Sequence, residues 1–250
     1  NGLSASRPNM TAQELAQLMA APGNIAAHVG ELQRNGQLGA LVPELEVLKQ
    51  VPPDDRIGHQ FNVGDHSVVA LQSLENLPED ILSSSPRHAV RQMVREASES
   101  IKAAGKGHLL RWAMLLHDIG KVRSGKNALD IGHDEHGAYE VAPLILARFG
   151  LSAGEIELVE WLIARADAFM FFAKSRHFEA NPGLILEVTD WMSTDREKVE
   201  MLYLMGLADL VAVNPAKNIN NFNDIVLMSD IYSATVRQLA SGNYQELALA

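Results

Sequence analysis

The sequence predicts an all-α fold, on three observations. Apolar residues recur at three- and four-residue spacing along most of the 250-residue chain, as in Leu38, Leu41, Leu45 and Leu48. Segment starts carry capping signals, such as Ser152-Ala-Gly-Glu155 and Thr194-Asp-Arg-Glu197. Strict apolar–polar alternation, the mark of a half-buried strand, is missing. A hydrophobic fraction of 47% supplies a buried core and argues against disorder.

In chain order, residues 1–10 read as a polar tail, and residues 12–33 carry helical patterning broken by Pro22 and Gly23. The Leu38–Leu48 pattern is interrupted by Pro43 and closed by Pro52 and Pro53. Val68, Val69, Leu71, Leu74 and Leu77 form an apolar face right after His66, and Pro78 is expected to end it. Residues 87–104 are a charged amphipathic helix stopped by Gly105 and Gly107; residues 108–117 are an apolar helix stopped by Gly120. A loop is expected at 121–132, then a helix through Tyr139, Leu144 and Leu146 to Gly150. The Ser152 capping box opens a helix to about Arg165, and 167–181 reads as an irregular stretch containing Phe169, Phe171 and Phe172. Asn181-Pro182 starts another helix. Thr194 launches the apolar run Met201–Val213, stopped by Asn214-Pro215, and Asn223 caps a last helix to about Leu239. The total is roughly nine helices and no sheet. The expected division is a tail and helical lead-in at 1–50, a domain at 51–240 and a C-terminal tail at 241–250.

Composition narrows the function. Twenty-one basic against thirty-one acidic residues give a net charge of −10, so nucleic acid is not an expected partner, because such binding needs Lys and Arg to neutralise phosphates. A local basic patch could still hold a small phosphorylated substrate. No apolar run is long enough for a membrane span. With no cysteine, disulfides, thiolate nucleophiles and iron–sulfur sites are excluded, and any metal must use His, Asp and Glu. The chain begins with Asn and shows no signal peptide, so cytoplasm is the default expectation.

The sharpest local signal is His117-Asp118 in Trp-Ala-Met-Leu-Leu-His-Asp-Ile-Gly-Lys-Val. Neighbours on a helix point about 100° apart, so both reach one ion only where the helix is ending. An imidazole with a carboxylate suits Mn, Fe, Co, Zn or Mg. The plainer reading is a capped helix end with a surface His, and the apolar lead-in and the following Lys121 weigh against it. Lys121 could hold a phosphate oxygen. His66 opens its helix as a cap, a core histidine or a third ligand. His59 lies in a loop. Asp209 sits inside the apolar run Leu202–Val213, where an ionised carboxylate needs a metal or a partner such as Arg111 or Arg196. His133 and His136, at i and i+3, share one side of a helix or sit in an acidic helix start with Asp134 and Glu135. His28, His88, His108 and His177 read as surface or structural.

His66, then His117-Asp118, then Asp209 in an all-α chain resembles the HD superfamily of metal-dependent phosphohydrolases, over roughly residues 55–215. The segments beginning at His59 (HQFNVGDHSVVALQSL), Leu115 (LLHDIGKV), Gly132 (GHDEHGAYE), Leu158 (LVEWLI) and Leu202 (LYLMGLADLVAVNP) follow the order seen in two bacterial groups. These are the HD region of PII uridylyltransferase/uridylyl-removing enzymes, which the last segment favours, and that of tRNA nucleotidyltransferases. The resemblance implies that His66, His117, Asp118 and Asp209 coordinate one divalent ion. It implies that Lys121 contacts the substrate phosphate, with Asp118 and Lys121 carrying catalysis, and that His133 assists a second metal or the phosphate. His59 and His136 fall at the substrate. The implied reaction is hydrolysis of a nucleotidyl phosphodiester or phosphomonoester by metal-activated water. The alternative is a non-catalytic nucleotide- or metal-sensing module. Related domains often place histidines after a segment like Leu158–Ile163; here the chain reads Ala164-Arg165-Ala166-Asp167, which questions a full second metal site unless Asp167 or His136 substitutes. A transferase half with strand-rich sequence is not seen. The chain is expected to be a stand-alone hydrolase or a piece of a larger chain, and a homo-oligomer is a further possibility.

Overall fold

The computed structural model describes residues 10–53, 58–84, 88–123, 132–174, 195–213, 215 and 222–241. Every regular element among them is helical, and no strand occurs among the described residues. The lead-in comprises α1 (Ala12–Ala20), α2 (Ala26–Arg34), α3 (Gln37–Leu41) and α4 (Pro43–Leu48). α5 (Val63–Ser84), α6 (His88–Ala103) and α7 (Gly107–Leu116) follow, and a 3₁₀ turn spans Ile119–Arg123. Next come α8 (His133–His136), a π-helical turn (Gly137–Val141), α9 (Ala142–Arg148), α10 (Ala153–Ile163) and α11 (Ala168–Lys174). The long helices α12 (Arg196–Val213) and α13 (Phe222–Ser241) complete the described fold.

The buried apolar residues form one cluster that runs from Leu15 in the lead-in to Tyr232 in α13. α12 is its axis. From Val199 to Ala212 every residue is buried except Asp209. A helix apolar all round has to be enclosed on all sides, and α5, α6, α11 and α13 pack against it. Tyr203 of α12 stacks on Tyr232 of α13 and shares a 2.8 Å hydrogen bond with Ser229.

Local chemistry explains the element starts. Ser152 and Glu155 form the expected capping box, with the Glu155 carboxylate accepting from the Ser152 amide at 2.7 Å. The same reciprocal pattern joins Thr11 and Glu14. Thr194 lies outside the described residues; Asp195 accepts from the Glu197 amide at 3.0 Å and so caps α12. Asn181 and Pro182 also lie outside them.

Three expectations are corrected. α5 continues past Pro78 to Ser84, because a proline removes one hydrogen bond of a helix and can kink it without ending it. The stretch 167–181 is not wholly irregular: Ala168–Lys174 is helical, with Ala168, Phe169, Phe172 and Ala173 buried at three- and four-residue spacing. Asn223 lies inside the first turn of α13, which begins at Phe222. No helix among the described residues is long and apolar enough to cross a membrane.

Candidate metal centre

α7 delivers His117 and Asp118 from a wall in which Leu109, Leu110 and every residue from Trp112 to Leu116 are buried. The backbone then tightens. The Lys121 amide donates to the Asp118 carbonyl at 3.0 Å, the i to i+3 pattern of a 3₁₀ turn. In such a turn side chains three apart eclipse, so Lys121 falls over Asp118, with Nζ 2.8 Å from Oδ1. This change of helical pitch turns His117, Asp118 and Lys121 toward one cavity.

His66 comes from the first turn of α5. Asn62 fixes that turn, its side-chain oxygen accepting from the Asp65 amide at 2.9 Å. The His66 ring is 1% exposed, and its Nε2 lies 2.7 Å from Asp209 Oδ1 across 143 positions of sequence. His117 Nε2 lies 3.4 Å from the same oxygen and 3.7 Å from Asp118 Oδ2. On its far side His117 Nδ1 donates to the Met114 carbonyl at 2.8 Å, which aims Nε2 at the carboxylates, the orientation a ligating imidazole takes. Asp209 has neither of the arginine partners open to it from sequence. Arg111 is held by Glu75 and the carbonyls of Met19, Ala21 and Gly23, and Arg196 by Glu200.

His133 enters from the start of α8. A close backbone approach places it: a Cβ on Gly120 would lie 1.8 Å from the His133 carbonyl oxygen, and one on Gly137 would lie 2.8 Å from the Gly120 nitrogen. Glycine at 120 and 137 therefore lets α8 reach the 3₁₀ turn. His133 Nε2 then lies 3.2 Å from Asp118 Oδ1 and 3.0 Å from Asp134 Oδ1.

These side chains line a cavity of about 340 Å³ that also takes in His59, Asp167, Met170 and Asp224. The His59 ring meets His66 edge-on at 4.8 Å. His136 is not among the lining residues and faces Glu140 at 3.2 Å. His108 is structural, between the Gly105 carbonyl and Glu155. Asp224, far along the chain in α13, has no local sequence signature; Asp167 was legible only as a substitute for an absent histidine.

The electrostatics are those of a cation site. Burial pushes the His117 imidazole down, but the Asp118 charge and the bond to Asp209 outweigh it and lift the pKa to about 9. His133 behaves alike: burial opposes, and bonds to Asp118 and Asp134 raise it to about 10. Burial pushes Asp118 and Asp209 up, yet their cationic and imidazole neighbours hold both well below the usual carboxylate range. Burial and then His66 lower His59. Asp167 stands at the mouth, where solvent reaches it; desolvation by the surrounding protein, then Asp134, Asp209 and Asp118, raise it to about 6. Two groups could hold a metal ion among the described residues: His66, His117 and Asp118, with Asp209 against both imidazoles, and His133, Asp134 and Asp167. Two imidazoles and a carboxylate with ligand atoms in mutual reach, and a second carboxylate against both imidazoles, fit a divalent ion.

The HD domain family matches residues 87–170, which contain His117, Asp118 and His133. The chain is also similar to three bifunctional uridylyltransferase/uridylyl-removing enzymes. That of Zymomonas mobilis is 28% identical over 90% of the chain and 22% of the relative. That of Vibrio cholerae is 26% identical over 92% and 24%, and that of Nitrosococcus oceani 27% identical over 90% and 23%. The chain thus spans about a quarter of the length of the curated relatives it matches. His66 and Asp209 lie outside the matched segment, yet the helix packing sets them against His117. The chain therefore resembles HD domains in its helical fold and over residues 87–170, and uridylyltransferase/uridylyl-removing enzymes over most of its own length.

Proposed function

We propose that the chain is a phosphohydrolase that cleaves a nucleotidyl phosphodiester or phosphomonoester at this cavity. One observation carries the reading: an ammonium, Lys121, is held over a carboxylate that itself faces two imidazoles, inside a cavity large enough for a phosphate ester. His66, His117, Asp118 and Asp209 would hold a divalent ion, as the donor chemistry fits. Bound there, it supplies a Lewis acid and a water of lowered pKa.

The chain's own residues do the rest. Lys121 stabilises negative charge on phosphoryl oxygens, more as charge develops than in the bound ester. Asp118 orients Lys121 and His133 through one oxygen, Oδ1. His133, drawn toward its protonated form by Asp118 and Asp134, presents a donor to the same region. His59, lowered below the ordinary imidazole pKa, is neutral at pH 7 and can accept or donate one hydrogen bond. The relatives, as uridylyl-removing enzymes, suggest a uridylyl group as the unit removed.

A sensing module is the second reading, favoured by the run Ala164-Arg165-Ala166-Asp167, which offers one carboxylate, Asp167, as its only metal-binding side chain. Metal analysis of the purified chain, followed by a panel of phosphate esters with Mn²⁺, Mg²⁺ and Co²⁺, separates the two. The expected result is bound metal and turnover of at least one nucleotidyl ester. Metal or nucleotide binding without turnover would replace the hydrolase with the sensor, and binding of neither would overturn both.

A further inference from the structure

A second cavity of about 580 Å³ opens on the other side of α11 from the metal centre. One short helix forms the partition: Met170 faces the metal cavity, while Ala168, Phe171 and Phe172 face the second. Two side chains join the spaces. Asp167 lines both, and Asp134, which lines the second, lies 3.0 Å from His133, which lines the first. A molecule with its phosphorus among Lys121 and His133 therefore has the second cavity next to it, with Asp167 on the wall of both.

The second cavity has an aromatic wall. Phe171 is 66% exposed, although the helix that carries it is otherwise packed into the core. Its ring stands edge-on to the buried Phe172 at 5.4 Å, which fixes its orientation. Arg165 closes one side, its guanidinium held 4.7 Å above the Trp161 ring, with a buried Nε that has no hydrogen-bond partner. Asp134 and Glu135 also line the cavity.

We infer that this cavity receives the nucleobase of a nucleotidyl ester whose phosphate is cleaved at the metal centre, with the base stacked on Phe171. The inference rests on the hydrolase reading above and names the end of the substrate remote from the phosphorus. A base has the planar apolar face that an exposed phenylalanine binds, without regard to which base it is. Its edge carries both acceptors and N–H donors, and the cavity offers a guanidinium for the first and carboxylates for the second. The charges also decide against an alternative occupant. Asp134, Glu135 and Asp167 would repel further phosphates, so a polyphosphate tail does not extend into this space, whereas a neutral ring does.

The test uses the full chain with Mn²⁺ and two esters that share a leaving group: thymidine 5′-(p-nitrophenyl phosphate) and methyl p-nitrophenyl phosphate. The quantity read is the ratio of their kcat/KM values. Phe171→Ala is expected to lower that ratio about tenfold or more, the scale of one lost base–aromatic stack, and Phe171→Trp to restore it. A ratio that Phe171→Ala does not change would overturn the subsite while leaving the hydrolase reading intact. Should the wild type cleave neither ester, equilibrium binding of thymidine 5′-monophosphate decides the subsite, and the ester panel above decides the hydrolase reading. Weakened binding in Phe171→Ala would keep it, and equal or absent binding in both proteins would remove it.

Discussion

The two metal-competent groups of the cavity are built from different material. His66, His117, Asp118 and Asp209 come from α5, the end of α7 and α12, the most thoroughly packed helices of the fold. His133, Asp134 and Asp167 come from a four-residue helix and a turn, and Asp167 is exposed at the mouth. The first group carries two carboxylates held well below their usual range; the second includes one raised to about 6. A ligand must be deprotonated to bind metal, and a rigid site loses less on binding. The difference teaches that a first ion would be held by the core of the fold, whereas a second would depend on its periphery.

The largest expected effect tests that division directly. Asp118→Ala removes a carboxylate that faces His117, Lys121 and His133 at once, and bound metal should fall to background. Asp167→Asn should leave at least one ion per chain. Elemental analysis of both variants reads the result, and equal loss in the two would merge the groups into a single site. Next in size is Lys121→Ala, expected to keep metal and fold while lowering kcat about a hundredfold on any ester turned over. An unchanged kcat with a lowered melting temperature would make Lys121 a structural partner of Asp118 alone.

The joint between the groups is Gly120. In Gly120→Ala the new methyl meets the His133 carbonyl, a backbone atom that cannot swing aside. Relieving the overlap separates α8 from the 3₁₀ turn, at about 1–3 kcal/mol of stability or more, and withdraws His133 from Asp118. Denaturant unfolding together with metal content checks this. Loss of stability with wild-type metal content would show that His133 is dispensable to the first ion, and that would sharpen the contrast.

How legible these groups were in the sequence follows the same line. His117-Asp118 announces itself because an apolar helix ends on two metal-ligand side chains, and Asp209 because an ionised group interrupts an apolar run. His66 has no such local mark. It was found through the order of matched segments, since its meeting with Asp209 depends on how α5 packs on α12. The helical class and the Ser152 start were readable because spacing and caps are local properties. α11 was not: a seven-residue run rich in phenylalanine and alanine is too short to show a clear period, and tertiary burial of Phe169 and Phe172 makes it a helix. Pro78 misled because proline's usual effect was overridden within a long packed helix. His136 shared a helical side with His133 on paper, but the π-helical turn begins right after it and its ring faces Glu140.

The smallest expected effect is on the pH dependence of stability, and it separates the groups by metal rather than by mutation. His117 and His133 are raised in the fold, to about 9 and about 10, from an ordinary value near 6.5. A group raised on folding contributes stability that is fully present below its unfolded pKa and is lost as pH rises through its folded pKa. With chelator, the melting temperature should therefore decline between about pH 7 and pH 10. The carboxylates act in the opposite sense: Asp118 and Asp209 are lowered, and their contribution disappears as the solution becomes acid. Saturating Mn²⁺ takes over the role of the proton on His117, because a ligating imidazole is already neutral. The decline should then shrink to the part owed to His133, if only the core group holds an ion. Differential scanning fluorimetry across pH 6–10, with EDTA and with Mn²⁺, measures both curves. A decline that Mn²⁺ removes entirely would place His133 on a second ion and make the peripheral group a full metal site; a decline that Mn²⁺ leaves untouched would take His117 off the metal and break the division at its stronger half.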